Sequence, residues 1–180
     1  MAEPELLWRP SEERIERATI TRYQRWLEDS RGLRFDDYAE LWRWSVDELD
    51  AFWQSIVEFF DVRFDVSADR ALGDRSMPGT QWFPHSSVSY ADHVFRGKDP
   101  ETVAIRHASE LRELGEWTWE ELRARTAAIA AGLRSLGVGR GDRVAAYLPN
   151  IPETVAALLA CSSIGAVWSS AAPEFGARSV

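Results

Sequence analysis

The sequence predicts an α/β fold preceded by a helical lead-in, and three observations carry that expectation. The stretch 143–148 is a short apolar run that follows a Gly-rich turn and stops at Pro149, as a buried strand does. Asn150-Ile151-Pro152-Glu153 reads as a helix start, with Asn150 able to cap, Pro152 tolerated in the first turn and Glu153 placed to bond back to the cap. The helix through 154–164 is closed by Gly165, and Ala166-Val167-Trp168 opens another apolar run. A strand, a crossover helix and a strand make a βαβ unit, which joins parallel strands.

The elements before it follow from the same rules. Ser11-Glu12-Glu13 supplies a capping hydroxyl and acids for a first helix, with Ile15, Ala18, Tyr23, Trp26 and Leu27 on its apolar side and Gly32 past its end. Asp36-Asp37 opens a short helix with Tyr38, Leu41 and Trp42 on one side. Ser45-Val46-Asp47-Glu48 has capping-box spacing and opens the clearest helix of this half. There Leu49, Phe52, Trp53, Ile56, Val57 and Phe60 fall on one helical stripe. Trp42, Trp44, Phe52, Trp53, Phe59 and Phe60 could form an aromatic ligand box, but their periodicity favours core and docking surface.

Between 64 and 87, Gly73, Pro78, Gly79 and Pro84 punctuate an extended, ordered arm that Trp82 and Phe83 anchor. A short helix with a serine cap follows over 87–96. Stretches 102–108 and 114–119 read as a hairpin joined by a polar turn at 110–113. Thr118-Trp119-Glu120-Glu121 is a capping box, so the second strand runs directly into a helix that ends at Gly137.

Composition narrows the function. The chain has 45% hydrophobic and 28% charged residues, so it is globular, and its net charge of −8 argues against nucleic acid or anionic membrane as partner. Cys161 is the sole cysteine and the N-terminus lacks a basic, apolar leader, which together suit a cytoplasmic protein. The uncharged stretch 154–173 is long enough to span a bilayer, but its serines, Gly165 and closing Pro173 favour a helix followed by a strand.

Few residues offer chemistry. His85, His93 and His107 lack metal-ligand spacing, and no metal site is expected. Gly137, Gly139 and Gly141 alternate as in a dinucleotide fingerprint, yet they follow a helix and precede a strand, the reverse of what a phosphate loop needs. Cys161 sits in an Ala/Leu helix and reads as core. In open α/β sheets ligands lie beyond the carboxyl ends of strands, here Leu148-Pro149-Asn150 and Ser169 to Phe175. Neither end carries a nucleophile–base pair, so no catalytic residue is expected within the chain.

Motifs in order then point to a family. Trp117-Thr118-Trp119-Glu120-Glu121-Leu122, Gly141-Asp142-Arg143-Val144-Ala145, Leu148-Pro149-Asn150 and Gly165-Ala166-Val167 together resemble the opening of the adenylate-forming acyl-CoA synthetases. Upstream, Glu48 to Trp53, Gln81-Trp82-Phe83-Pro84 and Ser89 to His93 resemble the N-terminal region of the acetyl-CoA synthetase branch. Leu7 to Ile15 and Ala172-Pro173-Glu174-Phe175-Gly176 narrow the likeness towards members that activate acetoacetate.

This resemblance implies a helical region and arm over 1–97, then the start of an AMP-binding α/β domain over 98–180 that is incomplete at its C-terminus. It implies an AMP-forming ligase using ATP, CoA and Mg²⁺, with small-molecule substrates and acetate or propionate as the alternative acids. The family's phosphate loop, adenine and ribose motifs and adenylation lysine lie downstream of Val180. Lys98, the single lysine, is not that residue. The 180 residues are thus expected to be the inactive N-terminal part of a larger enzyme. In the acetyl-CoA branch the turn after the last strand carries Phe-Gly-Gly against the CoA nucleotide. Here Ala172, Pro173 and Glu174 hold those places, and the resemblance makes them the candidate CoA-side turn. A docking module without catalysis is the competing class. A nicotinamide dehydrogenase fits least, because Pro149-Asn150-Ile151-Pro152 after the strand contains no glycine.

Overall fold

A computed structural model describes residues 6–176 and 178, and the chain divides into two compact units, one up to Ser87 and one from Val88. Residues 1–5, at the N-terminus expected to lack a leader, and 177, 179 and 180, at the end of the expected AMP-binding domain, lie outside the described residues.

The first unit is helical. Helix α1 (Glu12–Arg17) is capped by Ser11, whose Oγ accepts from the Arg14 N–H at 3.3 Å. The single helix expected here is two. At Ala18 the backbone turns extended (φ −64°, ψ 139°), and α2 runs from Thr19 to Arg31. Thr19, Ile20 and Thr21 are β-branched and weak helix formers, and the Thr21 hydroxyl donates to the Ile15 carbonyl at 2.7 Å across the break. Gly32, at φ 66°, ends α2 and returns its N–H to Glu28.

Helix α3 (Tyr38–Asp47) is capped by Asp37 and runs through Ser45, so the expected capping box at Ser45 does not form. The Ser45 hydroxyl donates instead to the Trp42 carbonyl, and α4 (Leu49–Phe59) starts after Glu48 without a side-chain cap. The stripe on α4 is also rotated from its expected position. Phe52, Ile56 and Phe59 pack on the cluster of Tyr23, Leu27 and Leu41, while Trp53 and Phe60 stay exposed. Ser55 shares that inward face and is fully buried. The Tyr23 hydroxyl lies 2.5 Å from Ser55 Oγ, and Ser55 in turn donates to the Phe52 carbonyl at 2.6 Å. The pair satisfies both hydroxyls, which makes a serine tolerable in an apolar core. Burial pushes the Tyr23 pKa up, against the lowering effects of Ser55 and Arg31.

The arm is extended and ordered, as expected. Isolated bridges join Val66 to Ser87 and Leu72 to Trp82. Ring contacts of Trp82 with Trp53 and of Phe83 with Phe64 anchor it within its unit. The Asp50 carboxylate accepts from the Leu72 N–H at 2.8 Å, tying the arm to α4.

The second unit mixes helix and strand. Its first helix, α5 (Tyr90–Phe95), is capped by Ser89. Strands β1 (Val103–Ser109) and β2 (Arg112–Thr118) form an antiparallel hairpin whose loop is two residues, shorter than the expected turn. Thr118 and Glu121 exchange both capping-box bonds, at 3.2 and 2.8 Å, and β2 passes straight into α6 (Trp119–Ser135). Then come β3 (Arg143–Tyr147), α7 (Pro152–Ser163), β4 (Val167–Ala171) and a 3₁₀ turn over Pro173–Phe175.

Strands β3 and β4 pair in parallel, Arg143 opposite Val167 through Tyr147 opposite Ala171, so the βαβ unit is present. The expectation of a buried strand is met on neither face in full. Arg143, Ala145 and Tyr147 are exposed and alternate with half-buried Val144 and Ala146, so β3 has one open face. The core gathers Phe95, Trp117, Leu122, Ala156 and Leu159. Helices α6 and α7 pack on each other, and Ala130, Ala156, Ala160 and Cys161 are each at most 3% exposed. Small side chains let two helix backbones approach closely.

Candidate functional site

The carboxyl ends of β3 and β4 lie side by side because the strands are parallel and in register. The ladder continues one step beyond them, where the Leu148 N–H donates to the Ala171 carbonyl at 3.2 Å. From there the chains part. On one side Pro149 leads to α7, and its carbonyl accepts from the Ile151 N–H at 2.9 Å and the Thr154 hydroxyl at 2.8 Å. Ile151, not Asn150, is the helix cap residue, and it makes no side-chain cap bond. Pro152 supplies the first helical position, where no N–H is needed, so the start tolerates the loss.

Glu153 does not bond back to a cap as expected. Its carboxylate accepts two bonds from Arg112 Nη1, at 3.0 and 3.1 Å, and so joins the hairpin to the start of α7. Burial acts to raise the Glu153 pKa. Its own backbone amide and Arg112 outweigh that effect and hold it below the ordinary carboxylate value.

On the other side lies the candidate turn. Ala172 is extended, Pro173 to Phe175 form one 3₁₀ turn with the Phe175 N–H on the Ala172 carbonyl, and Gly176 (φ 68°) releases the chain. The three predicted residues, Ala172, Pro173 and Glu174, are thus contiguous at the mouth of the parallel pair. Sequence reasoning missed Tyr147. Its hydroxyl donates to the Pro173 carbonyl at 2.6 Å, linking the end of β3 to the turn after β4. A tyrosine closing an apolar run was the available signal, but its partner is 26 residues away.

The structure also places the groups that the sequence set aside. Gly137 and Gly141 take positive φ (85° and 87°), the Gly139 N–H donates to Asp142 at 2.8 Å and the Gly141 N–H to the Gly165 carbonyl at 2.9 Å. Those amides are spent on the turn, which is therefore no phosphate cradle. Cys161 is fully buried, and desolvation pushes its thiol pKa up, away from nucleophilic use. Lys98 Nζ rests over the Trp119 ring at 5.1 Å from its centroid. Among the described residues no group of three or more His, Cys, Asp or Glu could hold a metal ion, so no residue here is assigned to Mg²⁺. No helix among them is long and apolar enough to cross a membrane.

Comparison with known proteins places these features. Residues 94–180 match the AMP-binding enzyme family, and residues 38–94 match the acetyl-coenzyme A synthetase N-terminus. The chain is 39% identical to an acetoacetyl-coenzyme A synthetase of Rhizobium meliloti over 97% of its length, which is 27% of that protein. It is 36% identical to the acetoacetyl-CoA synthetase of Macaca fascicularis over 99% of its length, again 27% of the relative. Among solved structures, acetoacetyl-CoA synthetase from Streptomyces lividans shares 51% identity with a TM-score of 0.91, covering 97% of this chain and 28% of that one. The chain spans about a quarter of the length of the curated relatives it matches. Its fold is that of the N-terminal region of an adenylate-forming enzyme, and over nearly its whole length it is similar to acetoacetyl-CoA synthetases.

Proposed function

We propose that this chain is the N-terminal part of an AMP-forming acid–thiol ligase that activates acetoacetate and transfers it to CoA in the cytoplasm. The observation that carries this reading is the likeness to acetoacetyl-CoA synthetases, which extends through helical unit and α/β unit alike at 39% and 51% identity. In the first step a carboxylate oxygen of acetoacetate attacks the α-phosphorus of ATP and pyrophosphate leaves, giving the acyl-adenylate. In the second the CoA sulfur attacks the acyl carbon, the thiol proton is released and AMP departs. CoA brings its own nucleophile, which agrees with the buried, inert state of Cys161. Mg²⁺, when bound, would offset charge on the departing phosphates.

The part this chain takes is structural and positional. The two parallel strands form a platform, and we assign Ala172, Pro173 and Glu174 to the CoA side of it. Glu174 repels phosphate, so the surface suited to CoA is the apolar one of Pro173 and exposed Phe175, against the pantetheine arm or the adenine ring. The test is pyrophosphate exchange by the full-length protein with acetoacetate, acetate and propionate supplied separately. Exchange dependent on acetoacetate is expected. Equal rates with acetate or propionate would shift the assignment to the shorter acids. The isolated 180 residues are expected to show no saturable ATP binding by calorimetry.

A further inference from the structure

From the bond between Tyr147 and the turn after β4 we infer that Tyr147 is a positioning residue for CoA in the second step of the reaction. The inference rests on the ligase reading above and extends it to a residue that nothing in the sequence motifs marked. Tyr147 is the last residue of β3 and half exposed, so packing alone does not account for a side chain of this size there. Its partner in the parallel ladder is Ala171, whose small side chain leaves the ring free to lie along β4. The hydroxyl then reaches past Ala171 to the Pro173 carbonyl at 2.6 Å.

That carbonyl has little else to hold it. The Gly176 N–H is 3.5 Å away, at the outer limit for a hydrogen bond, and the 3₁₀ turn contains one closer bond, from Phe175 to Ala172. A single 3₁₀ turn is a weak element, and the glycine behind it (Gly176, φ 68°) gives no stiffness. The phenol therefore supplies the one long-range restraint that the described contacts give Pro173. It fixes where the Pro173 and Phe175 surface stands relative to the strand ends, the place where α/β sheets bind ligands. The exposed Phe175 ring, 59% accessible, is presented by the same turn. Loosening the turn would cost affinity for the group docked on it, because the order would then be acquired on binding.

The experiment compares full-length wild type with Tyr147→Phe and Tyr147→Trp. The phenylalanine variant keeps the ring and removes the hydrogen bond, and an exposed ring that loses only its hydroxyl leaves folding intact. A roughly three- to tenfold rise in KM for CoA is expected, the size set by one modest hydrogen bond. Acetoacetate-dependent pyrophosphate exchange, KM for ATP and kcat should each change less than about twofold. Tyr147→Trp, which cannot place a hydroxyl on Pro173, should match the phenylalanine variant. An unchanged KM for CoA in both variants would overturn the inference while the ligase reading stands. Exchange and CoA use falling together would also overturn it, since that marks general damage. If the wild type itself shows no acetoacetate-dependent exchange, the ligase reading fails first and this inference with it.

Discussion

The two units of this chain build their cores in opposite ways. The helical unit uses large rings: Tyr23, Trp26, Trp44, Phe52 and Phe59 surround Leu27 and Leu41, with ring contacts such as Tyr23–Phe59 at 5.1 Å and Trp44–Phe52 at 5.7 Å. The α/β unit instead buries small side chains on its helices, Ala130 on α6 and Ala156, Ala160 and Cys161 on α7, and its core cluster mixes Ala156 with Phe95, Trp117, Leu122 and Leu159. The difference teaches where each unit is vulnerable. A core of bulky rings meeting edge to face is damaged by removing volume from its centre. Helices that bury alanines are damaged by adding volume at those positions.

The largest expected effect tests the first half of that contrast. Leu27, fully buried at the centre of the rings, should cost about 2–5 kcal/mol when changed to Ala, because rigid aromatics collapse poorly around a cavity. Urea unfolding followed by tryptophan fluorescence measures it, and a loss under about 1 kcal/mol would show a pliable core. Next comes the opposite change, Ala156→Leu in α7. Overpacking there should cost about 1–3 kcal/mol and disturb α6 and α7 while leaving the helical unit's transition in place. Hydrogen exchange localises the damage, and equal loss of protection in both units would break the contrast.

A smaller effect probes the polar pair inside the aromatic core. Tyr23→Phe removes the hydroxyl facing Ser55 and should cost about 1 kcal/mol. The same pair predicts a pH response. The folded Tyr23 pKa lies above the ordinary value of 10.0, so its contribution is fully present below that pH and is lost as pH rises through the folded value. Denaturant midpoints taken from neutral pH into the alkaline range should fall less in Tyr23→Phe than in wild type.

The smallest effect belongs to the α/β unit. Arg112→Gln breaks the pair with Glu153, and both side chains are more than two-fifths exposed, so solvent screening limits the loss to a few tenths of a kcal/mol. The Glu153 pKa is depressed in the fold, so its contribution is present above the unfolded pKa and lost as pH falls through the lower folded value. Acid titration of stability should show wild type and Arg112→Gln converging at low pH, and a constant gap would remove Glu153 as the partner.

What could be read in advance follows the range of the interactions concerned. Caps of three-residue reach at Ser11, Asp37 and Thr118 were legible, because donor and acceptor are neighbours in sequence, whereas the helix expected over 87–96 starts later, after its cap Ser89. The box at Ser45 failed since α3 continued through it, and the helix at Ala18 broke without a proline or glycine to announce it. The rotation of α4 was illegible for another reason. Its sequence offers apolar residues on more than one side, and only the rings of α2 and α3 select the face that carries Ser55.

The candidate site divides along the same line. Its position was readable from the order strand, helix, strand and from the placement of Ala172, Pro173 and Glu174, and so was the exclusion of the glycine run as a phosphate loop. By itself the sequence determined the parallel pair, the hairpin leading into a capped helix, and the likeness to adenylate-forming enzymes. All of these are patterns of local spacing or motif order. Tertiary structure alone decided that Glu153 meets Arg112 across 41 residues and that Tyr147 holds Pro173 across 26. The first partner is chosen by how the hairpin sits against the start of α7 and the second by the parallel register of β3 and β4, and no local propensity encodes either choice.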